Sequence, residues 1–142
     1  MSVIELDTKS FDEAINSDNI VLVDFWASWC GPCINLTPTI EAIALANPDT
    51  VSVYKVNVDN EGSLSMRFKI RGIPYLIFFK QGEMVENIIG LASQEKIQEK
   101  IDELLWRTEK SKVILKDDEA SSFVSKIAKA VVNAIENESN ES

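Results

Sequence analysis

Val23-Asp24-Phe25-Trp26-Ala27-Ser28-Trp29-Cys30-Gly31-Pro32-Cys33 joins an apolar run to two cysteines separated by two residues. The run begins at Ile20 and lasts to Ala27. A stretch so short and so apolar suits a strand buried on both faces, which implies a parallel sheet covered by helices. Downstream the pattern turns helical through about Ala46, with Ile40, Ile43 and Ala44 at helical spacing and Pro38 expected to kink the helix. A C-x-x-C pair between a buried strand and a helix start puts the first sulfur where backbone N–H groups are unpaired, which favours its thiolate. The pair can be a redox dithiol, half of a zinc site, or two incidental core cysteines. Structural zinc wants four ligands, and the chain has no histidine and no third cysteine. The order strand, C-x-x-C, helix is the one that redox chemistry requires.

Asp24 stands in the middle of the apolar run, so it is expected to be desolvated and its pKa raised. That suits proton exchange, and the alternative is a buried acid held for structural reasons alone.

Working outward, Ser10-Phe11-Asp12-Glu13 has capping-box spacing, and Phe11, Ala14 and Ile15 mark one face of a short helix. Val51 to Val58 reads as a strand, and Leu64, Arg67 and Phe68 belong to a short helix after it. Tyr75 to Phe79 and Met84 to Ile89 flank Gln81-Gly82, a hairpin signal. Ser93 is an N-cap candidate, and Ile97, Ile101, Leu104 and Leu105 form the stripe of a helix expected to end near Trp106. The order β-α-β-α-β-α-β-β-α predicts an α/β fold, a mixed sheet with helices on both faces.

From Arg107 the character changes. Val113-Ile114-Leu115 precedes the acidic Asp117-Asp118-Glu119, and Phe123, Ile127, Val131, Ala134 and Ile135 then recur at helical spacing, predicting one amphipathic helix over about 120–136. Glu136 to Ser142 carries only Glu, Asn and Ser and is expected to be disordered. The stripe can pack on its own domain, hang loosely, or serve docking and self-association.

At 142 residues, 45% hydrophobic and 26% charged, the chain fits one domain plus an appendage. A formal net charge of −9 without clustered Lys and Arg argues against nucleic acid. Met1-Ser2-Val3-Ile4-Glu5-Leu6-Asp7 has no basic n-region, and no run reaches the ~18 apolar residues of a membrane helix. A cytoplasmic protein without membrane contact is therefore expected.

The quoted segment closely resembles the active-site segment of thioredoxins. Pro38, Val56-Asn57-Val58-Asp59, Ile70-Arg71-Gly72-Ile73-Pro74, Phe79-Lys80-Gln81-Gly82-Glu83 and Gly90 follow that family's pattern in order, over residues 1 to about 106 and excluding the extension 107–142. The resemblance implies the thioredoxin fold, with a central mixed sheet of four to five strands flanked by helices, here with a C-terminal helical extension. It implies protein-disulfide reductase activity through a redox disulfide between Cys30, the exposed nucleophile, and Cys33, the resolving thiol. Asp24 would be the proton acceptor and donor for Cys33, with Lys55 as the charge beside it. Pro74 would be a cis-proline facing the pair, and Trp29, Gly31, Pro32, Ile73 and Gly90 would complete the substrate surface. No bound cofactor is implied: electrons come from NADPH through a separate thioredoxin reductase, and the other partners are protein disulfides. A monomer is expected, with association through the extension as the variation.

Two positions depart from the family's usual pattern. Ile34 stands where a basic residue is common, and Tyr75 stands where Thr is common. Both flank the site and bear on substrate and reductase preference. The same fold also serves as a disulfide oxidant or isomerase, or as a binding subunit whose tail docks a partner, but Gly31-Pro32 resembles the reducing members.

Overall fold

The computed structural model describes residues 3–115, with the backbone alone for 111–115, and residues 130–131. In chain order the elements are β1 (Val3–Glu5), α1 (Thr8–Ile15), β2 (Ile20–Trp26), α2 (Gly31–Ala46), β3 (Val51–Asn57), α3 (Gly62–Arg67), β4 (Tyr75–Lys80), β5 (Glu83–Ile89) and α4 (Gln94–Leu115). The strands form one sheet in the order β1-β3-β2-β4-β5. β1 and β2 run parallel to β3, whereas β4 is antiparallel to both β2 and β5. This is the mixed sheet of the thioredoxin fold.

β2 lies in the middle because it has no polar face to offer water. Val21, Val23 and Phe25 point to one side, where they meet Phe11 and Ile15 of α1, Leu64 of α3, and Ile77 and Phe79 of β4. Aromatic rings fill that layer, with Phe11 centred 5.4 Å from Phe68 and 5.7 Å from Phe79. Arg67 closes its edge, stacking its guanidinium on Phe11 and Phe68 while it bonds Asp12 at 2.8 Å. On the other side of β2 lie Ile20, Leu22 and Asp24, by the two-residue alternation of a strand. That face belongs to the buried side chains of α2 and α4, chiefly Leu36, Ile40, Ile43, Ile97 and Ile101. A reciprocal amide pair ties the two helices together: Asn47 Nδ2 donates to Gln98 Oε1 (2.7 Å) and Gln98 Nε2 donates to Asn47 Oδ1 (2.9 Å).

Local signals explain most of the boundaries. Gln81 (φ 51°) and Gly82 (φ 82°) both take positive φ, the conformation a two-residue hairpin turn needs. Ser93 caps α4 through Lys96 N–H at 3.1 Å. Two boundaries differ from the sequence reading. The capping box of α1 begins at Asp7, not Ser10: Ser10 N–H donates to Asp7 Oδ1 (2.8 Å) and Asp7 N–H to Ser10 Oγ (3.1 Å). Ser10 occupies the third helical position, where its short side chain reaches back as Glu does in the usual box. The last helix also passes Trp106 and ends at Leu115. The apolar stripe stops at Leu105, but Arg107 to Lys112 contains no Gly or Pro, so nothing interrupts the backbone bonding.

The chain divides into two units, Met1–Leu104 and Leu105–Ser142. In the second, the described residues are helical. The amphipathic helix expected over about 120–136 and the polar end lie outside the described residues, apart from Ala130 and Val131. No helix among the described residues is long and apolar enough to cross a membrane.

Phe11 is fully buried at the centre of the aromatic layer. Phe11→Ala is expected to lower stability by about 3–5 kcal/mol, read as a lower urea midpoint with an unchanged slope. A loss below about 1 kcal/mol would mean that the layer closes over the gap.

Candidate active site

β2 ends at Trp26 and α2 begins at Gly31, so the cysteines sit at the turn between a buried strand and a helix start. Cys30 is the N-cap of α2, and its Sγ accepts the Cys33 N–H at 3.2 Å. The first sulfur thus takes one of the backbone donors that a helix start leaves unpaired. Gly31 and Pro32 occupy the first turn, where proline is tolerated because no N–H is required of it. Cys30 and Cys33 are joined as a disulfide. Together with Ala27 they form a small buried cluster lined by Trp26, Val58 and Ile73. In this disulfide form Cys30 is less open than expected, at 5% exposure against 1% for Cys33. The physical reason is that lining, which covers the sulfur from the side.

The Ile73–Pro74 peptide is cis, and the Ile73 carbonyl oxygen lies 3.8 Å from Cys30 Sγ. Gly90 N–H donates to the Pro74 carbonyl at 2.8 Å, joining the end of β5 to the proline loop. Gly90 has φ 85°, a conformation a side-chain-bearing residue adopts only with strain. Trp29 is 69% exposed, yet its indole N–H is held by Asp59 Oδ2 at 2.8 Å, so the ring is fixed by its edge and shows its face. Asp59 is oriented in turn by its own N–H to Asn57 Oδ1 at 3.0 Å. Sequence reasoning gives Asp59 no role of its own, although it stands inside one of the motifs quoted above. Ile34 and Leu91 are exposed apolar residues, at 52% and 57%, on α2 and just after Gly90. Leu91 carries no signal in the sequence.

Asp24 and Lys55 lie deeper. They are register partners on β2 and β3, which puts both side chains on the face of the sheet that carries α2. Asp24 is 3% exposed, and its Oδ1 accepts no hydrogen bond from the described residues. Burial pushes the carboxyl from 3.8 up to about 7, against the pull of the Lys55 ammonium. Among the described residues no cluster of three or more His, Cys, Asp or Glu side chains is placed to hold a metal.

The site therefore has two layers. Cys30, Cys33, Trp29, Gly31, Pro32, Ile73, Pro74 and Gly90 lie at the β2–α2 turn and the proline loop that meets it, and the Asp24–Lys55 pair lies within the sheet on β2 and β3. Such an arrangement can present a sulfur at a helix start and exchange a proton from within.

Comparison with known proteins agrees with this geometry. A family model described as Thioredoxin matches residues 2–103. The chain is similar to the thioredoxin of Alicyclobacillus acidocaldarius subsp. acidocaldarius, 40% identical over 73% of this chain and 99% of that one. It is likewise similar to the thioredoxin of Porphyra purpurea, 41% identical over 69% of this chain and 92% of that one. The crystal structure of Malassezia sympodialis thioredoxin superposes with a TM-score of 0.66 at 35% identity, covering 72% of this chain and 90% of that one.

The buried carboxyl makes stability depend on pH. Below about pH 4, folded and unfolded chains both keep the proton, so burial of Asp24 adds no charge penalty. Between about 4 and 7 the unfolded chain releases the proton while the folded chain holds it, and stability falls as pH rises. Above about 7 the full penalty, on the order of 4 kcal/mol, is present. Asp24→Asn should therefore be the more stable protein at pH 8, with a gain that shrinks toward zero by pH 4. Urea unfolding of the disulfide form at the two pH values checks this, and a gain independent of pH would rule out charge burial as its source.

Proposed function

We propose that this chain, which belongs to the thioredoxin family and is a thioredoxin-type disulfide oxidoreductase, reduces protein disulfides through a mixed disulfide on Cys30. The observation that carries the reading is the Cys33 N–H bonded to Cys30 Sγ at the start of α2. In the reduced form that donor stabilises a Cys30 thiolate. The thiolate attacks one sulfur of a substrate disulfide, forming the Cys30–substrate bond and releasing the other substrate sulfur as a thiolate. Cys33 gives its proton to the Asp24 carboxylate and attacks Cys30 Sγ. The Cys30–Cys33 disulfide forms, the second substrate sulfur leaves, and two electrons have passed to the substrate. NADPH restores the dithiol through a separate thioredoxin reductase.

Magnitudes decide where the helix start helps most. Lowering a thiol from pKa ~8.5 to ~7 raises its thiolate fraction at pH 7 roughly 15-fold, but a Brønsted slope of ~0.5 takes back roughly 5- to 6-fold in nucleophilicity. Attack gains only about threefold. The same stabilisation makes Cys30 a good leaving group when Cys33 attacks, and that is the step that releases product.

The substrate reading follows from the surface. An extended peptide can bond to the Ile73 backbone beside Pro74, with the Trp29 face, Gly31, Pro32 and Gly90 around it. Ile34 and Leu91 make this rim apolar, which favours apolar side chains next to the substrate cysteine. The oxidoreductase unit is taken as 1–106, with 107–142 as an extension that can associate. We read the protein as a monomer of the cytoplasm, where thiols are kept reduced.

In an NADPH-coupled insulin-reduction assay, Cys30→Ser is expected to abolish turnover. Cys33→Ser should stop after one step and accumulate mixed disulfides that dithiothreitol releases. Absence of such adducts from the Cys33→Ser protein would overturn the mechanism, and a midpoint potential well above ~ −200 mV would reverse the direction of electron flow.

A further inference from the structure

We infer that Trp26 is a positioning residue for the proton site, its indole face holding the Lys55 ammonium beside the Asp24 carboxyl. The geometry comes from the register of two strands. Asp24 pairs directly with Lys55 across β2 and β3, and Trp26 pairs with Asn57, so Trp26 is the diagonal neighbour of Lys55 on the same face. Diagonal neighbours are within reach of a long side chain and an aromatic ring, and Lys55 Nζ stands 4.9 Å from the Trp26 ring centroid. The ammonium therefore has three attractors: the Asp24 carboxyl opposite it on β2, the exposed Glu5 carboxylate opposite it on β1, and the ring beside it. Without the ring, a four-carbon stem on a half-buried residue is free to carry its charge to water.

The ring itself is fixed by other means. Its backbone carbonyl accepts Val58 N–H at 2.9 Å, and its side chain packs against the Ala27, Cys30 and Cys33 cluster. Its indole Nε1 is buried with no hydrogen-bond partner among the described residues, so packing orients the ring, not its N–H. Trp26 thus touches the sulfur cluster on one side and the charge on the other. The residues around Asp24 leave Lys55 as the charge that acts on it. β4 places apolar Leu76 in register with Asp24, and α2 brings Cys33 to this face with its sulfur in the disulfide. The buried side chains of α4 are apolar Ile97, Ile101 and Leu104. Asp59, the acid beyond Trp26, is engaged with Trp29. The effect on turnover rests on Asp24 serving Cys33, whereas the electrostatic claim does not.

The test uses the full chain in its disulfide form, where no thiol titrates, with carboxyl-labelled aspartate followed by NMR across pH and Asp24 assigned from its loss in Asp24→Asn. The Lys55 ammonium pulls the Asp24 carboxyl downward, so Lys55→Met is expected to raise the midpoint, by about one unit, the lower end of what an opposite charge does. Trp26→Leu should raise it in the same direction, Trp26→Phe should leave it close to native, and Trp26→Leu with Lys55→Met should match Lys55→Met alone. Because Trp26→Leu can also loosen the fold, a second probe keeps the ring's shape. Incorporating 5-fluorotryptophan into a Trp29→Phe/Trp106→Phe background weakens the ring's attraction for a cation at Trp26 only, and a small upward shift is expected. An unmoved midpoint in Trp26→Leu or in Lys55→Met, or a double variant that shifts further than Lys55→Met, would overturn the inference. Separately, equal insulin turnover by Asp24→Asn and native protein would remove the proton role of Asp24 while leaving the NMR result to decide about Trp26.

Discussion

One hydrogen bond organises this molecule: the Cys33 N–H given to Cys30 Sγ at the first turn of α2. It makes the leading sulfur the cap of a helix, so the chemistry of the pair and the structure of the turn are the same interaction. A helix start has more donors than its backbone can satisfy, and a sulfur that fills one of them gains most when it is charged. The constraint reaches further than the turn. α2 can present its N-terminus at this point only because β2, buried on both faces, delivers the chain to the middle of the sheet edge with no freedom to slip.

Around that bond the protein tolerates two costly arrangements. A carboxyl lies 3% exposed with an oxygen unpaired among the described residues, and an indole N–H is in the same condition two residues later. Both are on the face of β2 that meets the cysteine-bearing helix. A domain built for stability alone would fill these positions with apolar side chains. That both lie on the face of β2 that carries α2, with Trp26 packed against the cysteine cluster, fits a site in which proton affinity, not packing, sets the residue choice. Lys55 links them, opposite the carboxyl by register and over the ring by reach.

The order of elements, the buried central strand, the hairpin turn and the cysteine pair were all legible along the chain. Each depends on residues close in sequence: apolar runs of strand length, Gln81-Gly82 with its need for positive φ, and a C-x-x-C at a strand-to-helix junction. The two misplaced boundaries had local causes as well. Asp7 and Ser10 offer caps at equivalent spacing, and an apolar stripe ends where burial ends, which is not where a helix must end. Asp24 was legible as a desolvated acid because its neighbours along the strand are apolar on both sides and carry it into the core with them.

By itself the sequence determined which strand would be buried, where the dithiol would stand, and that an acid would be buried in the strand before it, because these follow from local pattern and the poor solvation of charge in an apolar run. Tertiary structure decided what stands beside what. It brought Ile73 to Cys30 and Gly90 to Pro74, set Asp59 on the edge of Trp29, left Leu91 exposed beyond Gly90, and laid Lys55 across Trp26. Those neighbours come from strands paired across long separations, and strand register is a property of the assembled sheet that no single segment encodes.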